Sequence, residues 1–185
     1  QLKGSALKIA QMLSMDKNVL PKAYINKFSQ SQYNAPPLSG PLIVKTFTKS
    51  FGKMPNEIFD TFNLNSTQAA SIGQVHEATL NGKKLAIKVQ YPGVGASIST
   101  DLKIVKPIAF RLIGMSEKEL NIYIKEVEER LLEETDYELE VRRSIKFSKA
   151  CGQLKNTVFP NYYPKLSSSK IITMDWMEGL HLKEF

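Results

Sequence analysis

Apolar and polar residues follow one spacing in the first third of this 185-residue chain and another spacing after about residue 67. In the first third, apolar residues recur every three or four positions, which is the period of a helix with one buried face. Prolines and glycines cluster between these stretches and mark a loop. The pattern predicts helices over 2–14, 21–30 and 42–52, a loop over 34–41 and a further helical turn over 55–59.

After residue 67 apolar and polar positions alternate, which is typical of strands. We predict one strand over Ser71–Leu80 and a second over Lys84–Gln90. The Asn81-Gly82 pair between them is a strong hairpin signal, because both residue types tolerate the positive φ of a two-residue turn. The pleat of the second strand places Leu85, Ile87 and Val89 on one face and Ala86 and Lys88 on the other.

Helical periodicity returns in the second half of the chain. A helix is predicted over 98–113, and a long helix over Glu117–Ala150 begins after Ser116, which has Glu119 three residues later in a capping-box pattern. Its apolar stripe contains Leu120, Ile124, Val127, Leu131, Val141 and Ile145. Two short strands then follow, over Thr157–Phe159 and Lys170–Met174. Together the elements predict an α+β fold, in which a long helix packs on a small antiparallel sheet and a helical extension comes first.

Composition narrows the class of protein. Hydrophobic residues make up 42% and charged residues 23%, which are the proportions of an ordinary globular chain. The single cysteine, Cys151, excludes a disulfide framework, and no Cys/His cluster has zinc spacing. No apolar run is long enough to span a membrane. Because there is also no signal-peptide pattern, we expect an intracellular location that is cytoplasmic or peripheral to a membrane.

The net charge of +7 is unevenly distributed. Residues 1–56 contain eight lysines and one acid, Asp16, whereas Glu117–Glu140 is rich in acids. A basic segment favours anionic partners such as phosphates or an anionic lipid surface, although a solvated lysine-rich face explains it equally well. Nucleic acid is not expected, because this basic segment contains no arginine, the side chain that reads bases through paired hydrogen bonds.

The first candidate for chemistry is Leu85-Ala86-Ile87-Lys88 on the second predicted strand. It resembles the third-strand motif of protein kinases, in which a lysine holds the nucleotide phosphates and pairs with a helix glutamate. A rigid strand keeps such a cation in place, and the small side chain of Ala86 leaves room for an adenine ring. Taken alone, the motif also fits an ordinary lysine exposed on a hairpin.

Four segments of the chain carry distinctive motifs: Lys8-Ile-Ala-Gln11, Gln68-Ala-Ala-Ser-Ile-Gly-Gln-Val-His76, Lys88-Val-Gln-Tyr-Pro-Gly-Val94 and Glu134-Thr-Asp136. Together they resemble the UbiB family of atypical protein-kinase-like proteins, which is linked to ubiquinone biosynthesis. The first segment is similar to that family's Lys-x-Gly-Gln signature, with Ala10 in place of glycine, and the second to its alanine-rich nucleotide loop. The third resembles the strand with the nucleotide lysine, and the fourth resembles the Glu-x-Asp motif.

The resemblance implies a protein-kinase-like N-lobe preceded by a helical extension. It assigns residues 1–66 to the extension with the Lys-x-Gly-Gln-like motif, 67–175 to the N-lobe and 176–185 to a hinge segment. No His-x-Asp catalytic loop and no Asp-Phe-Gly motif occur among the 185 residues. We therefore expect a C-lobe to be absent from this chain and to belong to a longer protein.

The same resemblance implies the residues of the site. The expected catalytic residues are Lys88, Glu140, Lys8, Gln11, Glu134 and Asp136. The expected nucleotide-binding residues are Ala69, Ala70, Ser71, Ile72, Gly73, Val75, Ala86, Lys88, Met174, Asp175 and Met177. The partner of Lys88 stays open: the resemblance suggests Glu140, but the apolar stripe of the long helix continues onto Glu134. His76 is expected to be structural, because no nucleophile or metal partner is evident.

The predicted function is ATP or ADP binding within a UbiB-like atypical kinase or ATPase, with magnesium held mostly by residues outside this chain. One alternative is a non-catalytic, nucleotide-sensing pseudokinase module that regulates partners. The other is a basic module that binds anionic lipid or nucleic acid. The resemblance adds an isoprenoid lipid and a membrane surface as partners, and it leaves a homodimer open.

Overall fold

The computed structural model describes residues 38–179, except residues 66, 71, 114 and 115. The helices predicted over 2–14 and 21–30 lie outside this part of the chain. The described chain divides into two compact units. The first contains Leu38, Gln68–Gln74 and Gln90–Asp136; the second contains Ser39–Thr67, Val75–Val89 and 137–179. The division into 1–66, 67–175 and 176–185 stays a prediction.

Five strands form one sheet. They are β1 (Thr61–Phe62), β2 (Gln68–Ala70), β3 (Gly73–Leu80), β4 (Lys83–Gln90) and β5 (Ile171–Asp175). The order is β1-β3-β4-β5, and β2 pairs with β3. The predicted hairpin turn is confirmed, because Asn81 and Gly82 have φ angles of +51° and +75°. β4 pairs with β5 in an antiparallel register that places Ala86 opposite Met174 and Lys88 opposite Ile172.

Four helices belong to the described residues. They are α1 (Gly40–Phe51), α2 (Val94–Ile113), α3 (Glu117–Thr135) and α4 (Tyr137–Cys151), with 3-10 turns at Pro55–Glu57 and Pro164–Leu166. α2 begins four residues earlier than predicted, and its buried residues Val94, Ile98 and Leu102 follow one face. The capping box predicted at Ser116 is present, since the backbone N–H of Glu119 donates to its hydroxyl oxygen. The α+β class is therefore confirmed.

The prediction of one continuous helix over Glu117–Ala150 is wrong, because α3 and α4 are separate helices. The chain leaves helical geometry at Asp136, where φ is −89° and ψ is +85°. The side-chain amide of Gln90 donates to the carbonyl of Thr135 at 2.9 Å and occupies an acceptor that a continuing helix would use. Helical periodicity cannot reveal this contact, because Gln90 lies 45 residues away along the chain.

The strand predicted over Thr157–Phe159 is also wrong. Val158 is 77% exposed, and no strand is present there. The outer edge of β5 is instead covered a few residues later, where Tyr162 bridges to Met174 and the N–H of Tyr163 donates to the carbonyl of Thr173. The β-branched and aromatic residues at 157–159 fit a strand locally, but the edge that they would join is taken by residues 161–163.

Candidate nucleotide site

Lys88 lies on β4, next to buried residues of the second unit. Leu85, Ile87 and Val89 are buried, as the predicted alternation requires. Lys88 lies on the other face with Ala86, and its side chain is 21% exposed. Met174 stands directly opposite Ala86 on β5 and therefore shares that face. Three predicted nucleotide-binding residues thus lie together on one surface of the sheet.

Val75 reaches the same face through β3. Glu77 forms an ion pair with Lys84 at 3.2 Å, which places it on the Lys84–Ala86–Lys88 side of the hairpin. Val75 is two residues from Glu77 on β3 and points to the same side because of the pleat. An apolar, half-buried side chain on the same face as Ala86 suits the flat face of a nucleobase.

Glu140 of α4 is the partner of Lys88. The ammonium donates to both carboxylate oxygens, at 2.8 and 2.9 Å, and the Glu140 side chain is 37% exposed. The sequence left open whether Lys88 pairs with Glu140 or with Glu134, and the structure shows Glu140. Each of these groups is partly open to water, so the pair limits the motion of Lys88 more than it stabilises the fold.

The aromatic ring of Tyr137 contacts the ammonium of Lys88 as well. Its ring centroid lies 4.7 Å from Nζ of Lys88, within the range of a cation–π interaction, and its side chain is fully buried. Tyr137 and Glu140 are three residues apart in α4 and so lie on the same helix face. The ammonium has three N–H donors, and two are directed at carboxylate oxygens. A cation held in this way fits the binding of a phosphate group.

Residues Gln68–Gln74 of the alanine-rich segment belong to the first unit, where they form β2 and the start of β3. Ala70 is half-buried, whereas Ile72 and Gly73 are buried. The carbonyl of Ile72 accepts a hydrogen bond from the N–H of Tyr91 at 2.9 Å, and the side chain of Gln74 accepts one from the N–H of Leu38 at 2.7 Å. Ala69 lies within β2, and Ser71 lies outside the described residues. Their role in nucleotide binding stays a prediction.

The Glu-x-Asp residues also belong to the first unit. Glu134 lies half-buried in the last turn of α3, and Asp136 is exposed at the helix end, where its N–H donates to the carbonyl of Glu133. Lys8 and Gln11, which are also predicted to be catalytic, lie outside the described residues. The catalytic role of these four residues stays a prediction.

Two backbone N–H groups at the end of β5 have partners within the protein. The N–H of Asp175 donates to the carbonyl of Asn161 at 2.9 Å, and the N–H of Trp176 donates to the carbonyl of Lys84 at 3.1 Å. Nucleotide binding by Asp175 and Met177 stays a prediction. Met177 is 47% exposed, so it remains accessible to a ligand.

The carboxylate of Asp175 is bound by two residues of the preceding loop. It accepts hydrogen bonds from the Tyr163 hydroxyl at 2.6 Å and from the backbone and side-chain N–H groups of Asn161 at 3.0 and 2.6 Å. Burial acts to raise the pKa of Asp175, but the hydrogen bonds outweigh burial and lower it. The hydrogen bond to Asp175 is also the main reason that the pKa of Tyr163 is raised, with burial adding to it.

His76 is a structural residue of β3, as expected. It is fully buried, stacks on Phe62 with ring centroids 5.2 Å apart, and its Nδ1 lies 2.8 Å from the carbonyl of Asn63. Since a carbonyl can only accept, Nδ1 carries the donated proton. Burial lowers the pKa of His76, and the hydrogen bond to Asn63 opposes that shift in part.

Sequence reasoning missed Tyr137, Lys84 and Trp176. The ammonium of Lys84 lies 4.6 Å from the centroid of the Trp176 ring, at the point where β5 ends. The one available signal for Tyr137 was its spacing of three residues from Glu140. For Trp176 there was none, because the pairing of β4 with β5 brings it to Lys84 from 92 residues away along the chain.

Two further properties of the described residues bear on ligands. Among residues 38–179 with their gaps, no helix is both long and apolar enough to cross a membrane. The same residues contain no cluster of three or more His, Cys, Asp or Glu side chains arranged to hold a metal ion.

Comparison with known proteins identifies a family and several relatives of this chain. The family model described as the ABC1 atypical kinase-like domain matches residues 30–185. Three curated relatives cover almost the whole chain. They are an uncharacterised chloroplast aarF-domain protein kinase of Arabidopsis thaliana (34% identical over 100% of this chain), the probable serine/threonine-protein kinase abkA of Dictyostelium discoideum (32%, 97%) and the mitochondrial atypical kinase coq-8 of Caenorhabditis elegans (31%, 97%). The chain spans only 27%, 34% and 24% of their respective lengths.

A solved structure shares the fold. Rv3197 of Mycobacterium tuberculosis, determined in complex with erythromycin, superposes with a TM-score of 0.66 and is 30% identical in sequence. The match covers 98% of this chain and 47% of that one. Together with the family match, it confirms the prediction of a kinase-like N-lobe.

Proposed function

Because the chain belongs to the ABC1 atypical kinase-like family, which is the UbiB family, we propose that it is the ATP- or ADP-binding part of an atypical kinase or ATPase. The activity, substrates and partners of the whole protein are part of this proposal, since the chain spans about a quarter to a third of these relatives.

The Lys88–Glu140 pair is the observation that carries the proposal. Lys88 lies on a strand whose neighbouring residues are buried, and both oxygens of Glu140 hold its ammonium. Ala86 and Met174 stand opposite each other on the same face, where a small side chain and an adaptable thioether suit a planar base. This combination of a fixed cation and an apolar surface matches the two parts of a nucleotide.

Magnesium, when bound with the nucleotide, would neutralise the phosphate charge that develops during phosphoryl transfer. Residues outside this chain would supply most of its ligands. What this chain's own residues do is narrower. Lys88 binds a phosphate oxygen, and Glu140 and Tyr137 keep Lys88 in position.

We also propose a connection with isoprenoid-lipid metabolism, ubiquinone included, because the UbiB resemblance covers most of the chain. The basic residues before residue 57 would favour binding to an anionic lipid or a membrane surface. The proposal also includes a homodimer. Two of the relatives carry the names chloroplastic and mitochondrial, so an intracellular location is part of the proposal.

Nucleotide affinity of a Lys88→Ala variant tests the proposal. We expect the dissociation constants for ATP and ADP to rise about 10- to 100-fold, the effect of losing a charged hydrogen bond, while the protein stays folded. Lys83→Ala is the matched control, since Lys83 is an exposed lysine on the same strand. Wild-type affinity in Lys88→Ala would contradict the assignment.

Two further readouts separate the alternatives. Nucleotide binding without phosphate release or phosphoryl transfer in the intact protein would support a pseudokinase module. Binding to anionic lipid or nucleic acid with a steep salt dependence, unaffected by nucleotide, would support a basic binding module.

A further inference from the structure

The helices α2 and α3 pack against each other within the first unit and form a helical hairpin. The hydroxyl of Ser99 in α2 donates to the carboxylate of Glu128 in α3, and a Cβ added to Gly95 would lie 3.5 Å from the hydroxyl oxygen of Thr135. Residue numbers rise along α2 while they fall along α3, so the two helices run antiparallel. The start of α3 therefore lies beside the end of α2.

Each of the two helices has a buried inner face and an exposed outer face. The buried residues are Ile98 and Leu102 in α2 and Leu120, Val127 and Leu131 in α3. The outer faces are rows of exposed positions spaced four and three residues apart in turn: Ala96, Thr100, Lys103, Pro107 and Phe110 in α2, and Lys118, Ile122, Lys125, Glu129 and Leu132 in α3. Because this is the spacing at which one helix packs along another, we call the two rows the α2–α3 seam.

The α2–α3 seam exposes large apolar side chains to solvent. Phe110, Ile122 and Leu132 are 46%, 63% and 45% exposed, and Ile104 beside the seam is 62% exposed. Helices of 20 and 19 residues that lie side by side present a surface of about 30 by 20 Å. Two such surfaces in contact bury about 1,200 Å², which is the lower limit for a stable protein–protein interface.

Positive and negative charges lie at different ends of the α2–α3 seam. Lys118 and Lys125 belong to the first half of α3, and the exposed Arg111 at the end of α2 lies at the same end of the hairpin. Glu129 belongs to the second half of α3, and the exposed Glu133 borders the seam there. A partner of one sign, such as an anionic lipid surface, would meet like charge at one end. The same surface turned end to end presents the opposite sign at both ends.

We propose that the α2–α3 seam is the contact surface of a homodimer, in which the hairpins of two copies pack face to face with their ends reversed. A two-fold axis makes such an interface self-complementary, so every contact occurs twice. The inference gives the homodimer a surface, and it does not depend on nucleotide binding.

The two-fold axis would pass close to the middle of α3. End-to-end reversal then places Lys118 of one copy opposite Glu133 of the second copy, which sets the register through opposite charges. Phe110 lies level with the start of α3 and Ala96 with its end, so the large ring of each copy faces a small side chain of the other. Large and small side chains that face each other let two helical layers interdigitate.

Sedimentation velocity of the intact protein measures the dissociation constant of the dimer, which we expect to lie between about 1 and 100 µM for an interface of this size. Lys118→Glu replaces two attractions by two repulsions and should raise that constant about tenfold or more. Adding Glu133→Lys restores opposite charges and should return it to within about threefold of wild type. Both changes suit the dipole of α3, since an acid is added near its start and a base near its end, so loss of the dimer would not reflect loss of the helix.

A second variant tests the apolar part of the α2–α3 seam. Ile122→Glu introduces a charge where two copies meet and should raise the dissociation constant of the dimer about tenfold or more, while its exposed position keeps the fold intact. Val158→Glu is the matched control, because Val158 is an exposed apolar residue of the second unit. It should leave the dissociation constant unchanged.

The outcomes separate this inference from the proposed function. A wild-type dissociation constant in both Lys118→Glu and Ile122→Glu overturns the seam, and so does a Lys118→Glu defect that Glu133→Lys leaves unrepaired. Wild-type protein that stays monomeric at about 100 µM overturns it as well. Loss of binding to anionic phospholipid vesicles in Ile122→Glu would then identify a membrane as the occupant. A dimer that binds no ATP overturns the proposed function and leaves the seam intact.

Discussion

The β3–β4 hairpin and the helical segment of α3 and α4 supply the two partners of the Lys88–Glu140 ion pair, and they are organised in different ways. The hairpin is set by its own turn, where Asn81 and Gly82 adopt positive φ angles. The helical segment starts at its own capping box but breaks at Asp136, where Gln90 binds the carbonyl of Thr135. The positive φ angles of the turn belong to adjacent residues, and Asp60 also accepts from the N–H of Asn81 at 2.7 Å. The helix break involves a residue that is 45 positions away.

The two regions also hold their charged groups in different ways. Lys88 is flanked by buried residues on a strand between two neighbouring strands, whereas Glu140 lies in the first turn of a helix that is anchored by Tyr137 and Val141. The cation is therefore held by the sheet, and the carboxylate depends on how firmly α4 packs. Changes at Tyr137 or Glu140 of α4 should therefore alter how Lys88 is held.

The largest effect is expected from Tyr137→Ala. Removing this fully buried ring should lower the free energy of unfolding by about 3–5 kcal/mol, because a cavity remains and Lys88 loses its aromatic contact. Denaturant unfolding measures the loss. Tyr137→Phe keeps the ring and should lose much less, and equal losses in the two variants would show that the ring itself is not what matters.

Glu140→Gln should come next. It keeps the size of the side chain but removes the charge that holds Lys88, so nucleotide affinity should fall about tenfold with little change in stability. Titration with ATP gives the dissociation constant. Glu138→Gln, at an exposed carboxylate in the same turn, serves as the control. If Glu140→Gln raised the dissociation constant for ATP as much as Lys88→Ala does, the helix and the strand would contribute equally to nucleotide binding.

Gly82→Ala tests the local origin of the hairpin. The φ of Gly82 is +75°, and an added Cβ would meet no atom within 4 Å, so the expected cost of about 1 kcal/mol is purely conformational. Ser116→Ala is the corresponding change at the start of α3 and should cost about 1 kcal/mol as well. Thermal or denaturant unfolding compares them, and a cost near zero for Gly82→Ala would remove the turn as the determinant of register.

The smallest effect is expected from pH acting through His76. Burial lowers its pKa in the folded state, with partial opposition from Asn63, so the unfolded chain binds a proton more readily. Its contribution to stability is present above the unfolded pKa of about 6.5 and is lost as the pH falls through the folded value. Unfolding experiments between neutral and acid pH should show a shallower dependence in His76→Gln, and an unchanged slope would contradict this assignment.

Much of the fold could be predicted where the cause is local. The β3–β4 hairpin, α1 and the capping box follow from turn glycines, breakers and cap residues in the same stretch of sequence. In the candidate site, the pleat of β4 placed Lys88 beside Ala86. The partner of Lys88 could not be decided from helical spacing, because the break at Asp136 ends the helix whose stripe pointed to Glu134.

The sequence by itself determined the class of fold, the family resemblance and the face of β4 that carries the cation. These depend on residue periods and motifs, which are properties of neighbouring residues. Tertiary structure alone decided that Glu140 pairs with Lys88, that Tyr137 lies against the same ammonium, and that Asp175 uses its own N–H for Asn161. Each of these contacts joins residues far apart in sequence, and the packing of strands and helices decides which groups meet.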